Sequence, residues 1–267
     1  MSPRHFLGMF LAELRKTLLR GSGIAALVVA ALIAALVVGV PAAARHYFGD
    51  AVINGAPLSQ VLQIDGASLL AAALWARNLF LLQLVLLWAA SATFAGEWRD
   101  HTLRELVVRP VPRWAVLAAK LGALSVLSAL TLVVTAVVAS SLAALLFGTG
   151  GDWGHVLLGY LASWGSDLGL FALGILASLL IRNVAGVVVV VVLFLVLDLG
   201  VRLALKAIGA LGVEVASTIA HFMPGDAMWA WVGYKGDWDW VSVAGLGVLL
   251  IVCLALSVWR MMRTDVP

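Results

Sequence analysis

The sequence predicts an all-α integral membrane protein with six transmembrane helices. The 267-residue chain is 63% hydrophobic and has a mean hydropathy of +1.08, far outside the range of soluble globular domains. Apolar runs of about 20 residues, the length that crosses the hydrocarbon core, recur between short polar segments. Because lipid tolerates only helices or closed barrels, these runs are predicted to be helices.

An amphipathic helix is predicted at residues 4–20, before the first long apolar run. Apolar side chains recur at helical spacing from Leu7 to Leu18, while Glu13, Lys16 and Arg20 lie off that stripe. A helix of this kind lies on a membrane surface. The basic start and the following apolar run also resemble a cleavable signal peptide, but this run is longer than a typical signal core. We therefore interpret it as the first span.

The six predicted spans have clear polar boundaries. They cover about 24–44, 69–95, 115–147, 155–181, 184–207 and 241–259. The glycine-rich turn at 148–152 lacks the Lys-Ser/Thr of a phosphate-binding loop, so we predict no nucleotide site there. Residues 210–240 hold two apolar pieces that are too short to cross, separated by Pro224-Gly225. This pattern predicts short re-entrant helices at the outer surface before the last span.

The distribution of basic residues predicts the topology. With a cytoplasmic N-terminus, 12 of the 17 Lys and Arg residues fall in inner segments. This bias places both termini and residues 96–120 in the cytoplasm, and predicts a multi-pass protein of the inner, cytoplasmic membrane. The basic residues are dispersed between apolar blocks, which argues against a nucleic-acid partner despite the pI near 9.4.

Four ionisable residues inside predicted spans are candidate functional residues, because charges in a membrane are costly. Arg77 in the second span and Asp167 in the fourth are a candidate pair. Asp198 and Arg202 lie four residues apart on one face of the fifth span, with Lys206 one turn further. This face either lines a pathway or is a self-neutralised pair whose lysine extends towards the headgroups.

No catalytic or metal-binding pattern is evident in the sequence. It contains no Gly-x-Ser-x-Gly elbow, no His-Glu-x-x-His helix and no paired acids of an intramembrane protease. The single cysteine, Cys253, matches no metal-site spacing. We therefore predict that the chain is not an enzyme and holds neither a metal nor a cofactor.

The charged stretch between the second and third spans carries the most specific pattern. It contains Gly96-Glu97, then Thr102-Leu103, then the turn at 109–113 (Arg-Pro-Val-Pro-Arg), with Lys120 opening the next span. It resembles the corresponding loop of type 2 ABC transporter permeases. In that family a Gly-Glu leads into a short helix with a Thr-Leu step, followed by a Pro-Val-Ser-Arg-like turn. Pro112 replaces the usual serine.

The resemblance implies a permease subunit of an ATP-driven exporter. The loop 96–114 would hold a coupling helix that rests in a groove of a separate cytoplasmic ABC ATPase, which would bind the ATP and Mg²⁺. The implied ATPase-coupling residues are Glu97, Arg99, Thr102, Leu103, Arg104, Leu106 and Val107. An apolar face with a rim of both charge signs also suits a protein partner.

The resemblance further implies paired permeases, as a homodimer or a pseudo-symmetric heterodimer. The second and fifth spans would line the cavity, which makes Gln83, Asp198 and Arg202 candidate pathway residues. The alternative is an ATP-independent secondary transporter or membrane scaffold, and an intramembrane enzyme is a weaker one. We find no internal repeat of the kind common in secondary transporters. The cargo stays open between lipid, peptide, drug-like antibiotic and glycan.

Overall fold

The fold is almost entirely helical. The computed structural model describes residues 3–49, 51–53, 56–57, 64–100, 112–221, 223–225 and 240–263. These residues form nine helices: α1 Pro3–Leu19, α2 Gly21–Phe48, α3 Gly66–Asn78, α4 Phe80–Arg99, α5 Arg113–Phe147, α6 Trp153–Leu180, α7 Val184–Ala210, α8 Glu214–His221 and α9 Trp240–Arg263. A two-residue antiparallel pair, β1 Val52–Ile53 with β2 Ala56–Pro57, lies in the first outer loop. Six helices are long and apolar enough to cross a membrane, as the sequence predicted.

Helix α1 is present where the amphipathic pattern predicted it, and both polar and apolar side chains of its C-terminal half contact the protein. Lys16 bonds to Glu97, and the Arg20 residue that follows α1 donates to the Ala92 carbonyl at 2.9 Å. The apolar side chains of Leu7 and Leu11 are exposed. Leu18, from the same apolar stripe, packs against the core of the bundle, and Phe10 lies close to Gly122. Residues from both faces of α1 therefore attach it to the bundle.

The second span is interrupted, although the sequence predicted one helix over 69–95. Helix α3 ends at Asn78 and α4 begins at Phe80, with the extended residue Leu79 (ψ 179°) between them. No proline or glycine occurs at the break, so local propensity does not explain it. Immediately before the break, Arg77 and Asn78 make hydrogen bonds to side chains of the fourth span. These contacts occur where the helix changes direction.

The remaining predicted boundaries differ by a few residues. The first span extends to Phe48 with Pro41 inside it. The charged loop is shorter than 96–114, because α4 continues to Arg99 and α5 begins at Arg113. Residue 210 belongs to α7, and α8 is the first predicted outer helix. The second predicted outer helix lies within 226–239, outside the described residues.

Two apolar clusters divide the bundle by height. One joins α2, α3, α5 and α6 towards the end of the bundle that carries the turn at 148–152, and it includes Val38, Leu70 and Leu132. The other joins α2 and α4–α7 with the last span and includes Leu86, Phe94 and Phe171. The break at Leu79 lies where the second span passes from the first cluster to the second.

The outer glycine-rich turn packs against the start of α3. Gly148 and Gly151 have positive φ values of 85° and 97°, which only glycine adopts readily. The carbonyl of Gly150 accepts a hydrogen bond from the Ala67 amide at 3.2 Å. The turn therefore has a packing role at the start of α3.

Candidate functional site

A group of four charged side chains, the inner ionic cluster, joins α1, α4 and α5 where the charged loop begins. It consists of Glu13, Lys16, Glu97 and Lys120. Lys120 Nζ lies 2.7 Å from Glu97 Oε1 and 3.1 Å from Glu13 Oε2. Lys16 also binds Glu97 Oε1. The cluster holds two acids and two bases, so its formal charge is balanced.

Burial makes these ion pairs structurally important. The side chains of Glu97 and Lys120 are fully buried, and Lys120 also donates to the Thr93 carbonyl and lies over the Phe94 ring. Removing one partner of a buried pair leaves an uncompensated charge, which is strongly destabilising. Glu97 is thus a fixed junction between the amphipathic helix and the second and third spans.

The predicted coupling residues divide between this junction and a segment outside the described residues. Glu97 was expected to contact an ATPase, but its carboxylate is buried within the chain. Arg99 is exposed and pairs with Asp100 at 3.0 Å. The other predicted coupling residues, Thr102, Leu103, Arg104, Leu106 and Val107, lie within 101–111, outside the described residues.

The turn between the fourth and fifth spans also contacts the start of the loop. The Arg182 guanidinium lies 4.1 Å from the centre of the Trp98 ring, which is a cation–π distance. Trp98 is therefore held from one side by this turn, one residue after the buried Glu97. The start of the charged loop, at the end of the second span, therefore contacts the third span through Lys120 and the turn between the fourth and fifth spans through Arg182.

A second group, the mid-membrane polar cluster, surrounds the break in the second span. It consists of Arg77, Asn78, Gln83, Ser128, Thr131, Ser163 and Asp167. Arg77 Nη2 lies 2.6 Å from Asp167 Oδ2. The structure thus brings together the predicted intramembrane pair. Both side chains are buried, and Arg77 lies 11 residues, or roughly 17 Å, along α3 from its first residue, Gly66.

Hydrogen bonds around this pair satisfy the carboxylate on both oxygens. Gln83 Nε2 donates to Asp167 Oδ1 at 3.0 Å, and the Ser128 hydroxyl donates to Oδ2. Arg77 also donates to Thr131 at 2.9 Å and to Asn78 at 2.8 Å. A buried ion pair needs such additional bonds to offset its desolvation. The two broken helix ends and the third and fourth spans are therefore joined through one charged centre.

The fifth span carries the third charged group, the predicted Asp198–Arg202 pair. Arg202 Nε lies 2.8 Å from Asp198 Oδ2, and both residues are buried. The Gly225 amide donates to Asp198 Oδ1 at 3.2 Å. A Cβ at position 225 would lie 1.9 Å from Asp198 Oδ2, so only glycine fits there. The pair thus binds the outer segment that follows α8.

A cavity of about 350 Å³ lies between the second and fifth spans. Gln83 and Arg202 are its polar lining residues among the described positions. The rest of the lining is aliphatic: Leu84, Leu87, Leu170, Val192, Leu195, Val196 and Leu199. Two of the three predicted pathway residues, Gln83 and Arg202, therefore line one cavity, and the third, Asp198, binds the Arg202 guanidinium.

Comparison with models of known protein families identifies the family of this chain. The family model described as ABC-2 family transporter protein matches residues 18–199, well over half of the chain. The chain belongs to the ABC-2 transporter family. The match begins at the end of α1 and includes the first four spans, the charged loop and most of the fifth span. No curated protein matches the chain.

Membership of the ABC-2 family bears on whether this permease catalyses a reaction. The ABC-2 family is a membrane component of transport and is not itself catalytic. Among the described residues there is no group of three or more His, Cys, Asp or Glu side chains that could hold a metal ion. Several charged groups of the ABC-2 chain that the structure describes connect helices, and Arg202 lines the cavity between the second and fifth spans.

Sequence reasoning missed two parts of these sites. It identified Glu97 and Lys120 but did not connect them with Glu13 and Lys16. It also assigned no role to Ser128, Thr131 or Ser163. The spacing of Glu13 and Lys16, three residues apart on one face of α1, could have indicated a shared contact. The hydroxyl residues gave no comparable signal, because serine and threonine are common in packed spans.

Proposed function

We propose that this chain is the permease subunit of an ATP-driven exporter and that a separate ATPase drives it through the loop between the second and third spans. The inner ionic cluster carries this proposal. It makes one mechanical unit of the amphipathic helix, the end of the second span and the start of the third. A force applied to residues 98–107 would therefore move all three elements together.

The cavity between the second and fifth spans supplies a pathway for this proposal. Closure of the ATPase would shift the loop, and α4 would carry that shift to Gln83 on the cavity wall. The cavity would then change its access between the two sides of the membrane. Gln83, Asp198 and Arg202 are the residues that we expect to affect cargo.

The assembly follows from the same proposal. ATP and Mg²⁺ would be bound by the partner ATPase. Two permeases, identical or pseudo-symmetric, would enclose a complete pathway. The chain would lie in the inner membrane with both termini cytoplasmic, since the basic residues concentrate at that end.

The interrupted second span favours the alternative of an ATP-independent transporter, because broken helices line the sites of many secondary transporters. Such folds repeat the break in a second half of the chain. Helix α7, which lines the same cavity, is continuous from Val184 to Ala210. We therefore prefer the ATP-driven permease.

Co-purification with the ATPase tests the proposal. Leu103→Asp and Arg104→Glu, in the loop, should abolish capture of the partner ATPase while the permease stays in the membrane. The loss is expected because an apolar face and its charged rim would bind the partner's groove. The matched control is Leu211→Asp, at an exposed turn at the opposite end of the bundle, which should leave capture unchanged.

Glu97→Lys is informative in the same assay, because this residue is buried. It should reduce capture together with the thermal stability of the permease, whereas Leu103→Asp should reduce capture alone. Unchanged capture in both loop variants would contradict coupling through this loop.

A further inference from the structure

A second cavity, of about 280 Å³, lies at the inner end of the bundle, and we call it the inner cavity. Its described lining residues come from the junction of α1 and α2, the end of the second span and the start of the fifth. They are Arg20, Gly21, Ser22, Trp88, Ala92, Gly96, Arg99, Asp100 and Val184. Neither the proposed pathway nor the inner ionic cluster uses this cavity.

The two ends of the inner cavity differ in polarity. Arg20, Ser22, Arg99 and Asp100 form one end, and Trp88, Ala92 and Val184 form the other. Trp88 precedes Arg99 by 11 residues in α4, which is roughly 16 Å along the helix. The indole is 49% exposed on the outside of the bundle. The inner cavity therefore runs from a charged rim into the region of lipid chains.

The charged rim has cationic groups available for a ligand. Arg20 uses Nη1 for the Ala92 carbonyl, and Arg99 uses Nε for Asp100. The remaining guanidinium nitrogens of these two residues have no partner among the described residues. Asp100 is an anion, because its hydrogen bond with Arg99 and the charges of Arg99, Arg20 and Lys16 lower its pKa. Two arginines and one aspartate leave the rim with a net positive charge.

A phosphate group matches this rim, since a guanidinium binds phosphate with two parallel hydrogen bonds. The ligand must also have an apolar part, because the inner cavity continues to Trp88 along the lipid-facing side. The groove between the third and fourth spans provides a contrast. Its volume is about 500 Å³, but its described lining is apolar apart from Tyr160, so it has no charged anchor for a headgroup.

We propose that the inner cavity binds one anionic phospholipid from the inner leaflet, with the phosphate held by Arg20 and Arg99 and an acyl chain beside Trp88. The site is separate from the pathway and does not depend on the proposed ATPase. The position of this lipid site connects it to the charged loop. The phosphate would join the start of the first span to Arg99, two residues after Glu97, and so would brace the base of the charged loop.

Binding can be measured by native mass spectrometry of the purified full chain titrated with phosphatidylglycerol and, separately, phosphatidylcholine. The wild type should bind phosphatidylglycerol more tightly. Arg20→Gln and Arg99→Gln should each weaken that binding about fivefold, which corresponds to ~1 kcal/mol per arginine. The double variant should weaken it about 25-fold if the two contributions add. Arg99 is 74% exposed, so its substitution should leave the fold intact.

A steric variant tests the same site without removing charge. A Cβ at Gly96 would meet only the Ala92 Cβ, at 3.9 Å, so Gly96→Leu would fill the cavity and improve local helix propensity. It should abolish tight phosphatidylglycerol binding while both arginines remain. The matched control is Arg263→Gln, which removes an exposed cation at the same end of the bundle, outside the cavity. It should bind as the wild type does.

Three results would overturn the proposal. An equal loss in Arg263→Gln would indicate general attraction to a charged surface. Displacement of the lipid by an equal concentration of inorganic phosphate would indicate a free-anion site. Disulfide-linked dimers of Trp88→Cys in a Cys253→Ser background would indicate that a second copy covers this face.

Discussion

Among the described residues, Arg77 is one of the largest fully buried side chains. It shows how single residues keep charge inside the bundle. Its partner Asp167 comes from another span, and neighbouring hydroxyl and amide groups add hydrogen bonds to both side chains. Glu97 and Lys120 follow the same rule at the inner end, where each charge meets an opposite one. The described fully buried charges are paired, as the cost of desolvation requires.

A prediction at this scale concerns the Arg77–Asp167 pair. Arg77→Met should destabilise the permease by about 3–5 kcal/mol, because it leaves a buried carboxylate without its cation. Arg77→Met combined with Asp167→Asn should destabilise it less than the single change. Thermal unfolding can be followed with a thiol-reactive dye, because Cys253 is the chain's only cysteine and is buried.

The control for this cycle is Arg263→Met, which removes an exposed cation outside both clusters and should not change the unfolding midpoint. If the double variant were as unstable as Arg77→Met, the two side chains would have separate roles.

Among the elements, α1 makes contacts that its sequence pattern does not reveal. Lys16 binds Glu97 and Glu13 binds Lys120, while Leu7 and Leu11 are exposed. An amphipathic helix at a membrane has two environments to satisfy, and here the polar one is supplied by protein. The helix is therefore fixed to the base of the charged loop as well as to the bilayer.

Hydrogen–deuterium exchange over residues 3–19 tests this attachment. Glu97→Gln should increase exchange in α1, because it weakens the contacts of both Lys16 and Lys120. Glu13→Gln should have a smaller effect, since Glu13 binds Lys120 alone in the described contacts and is less buried. Exchange equal to the wild type in Glu97→Gln would show that lipid alone orders the helix.

At the scale of the whole molecule, the broken second span connects two parts of the bundle. Helix α3 packs in the outer cluster and α4 in the inner one. The mid-membrane polar cluster joins these parts at the break, and Gln83 extends from it to the pathway cavity. The same residue thus contacts the charged centre and the cavity, which suits a bundle that must change shape around cargo.

Cavity access provides the test at this scale. In a Cys253→Ser background, Leu195→Cys lies on the cavity wall and Leu193→Cys faces outward on the same helix. In the complex with its ATPase, an ATP analogue should change labelling of Leu195→Cys by a membrane-impermeant maleimide several-fold. Leu193→Cys should label equally in both states. Equal labelling of Leu195→Cys would argue against an alternating cavity.

The fold class and several site residues were predictable because they depend on local properties. Run length and hydropathy identified six spans, and the deviation at 69–95 arose from contacts that local propensity cannot reveal. Arg77 and Asp167 were predicted as partners because few intramembrane charges were available to pair. Ser128 and Thr131 were missed, since their role depends on which helix faces share one height.

The sequence by itself determined the helical membrane architecture, the charged loop and the ABC-2 family, because apolar length, charge distribution and motif residues are properties of the linear chain. The tertiary structure decided that Glu97 is a buried joint, that Glu13 and Lys16 of α1 bind into the bundle and that the second span breaks at Leu79. The physical reason is that the environment of each buried charge is set by residues far away in sequence. Arg77 and Asp167 are separated by 90 positions and meet only when four helices pack.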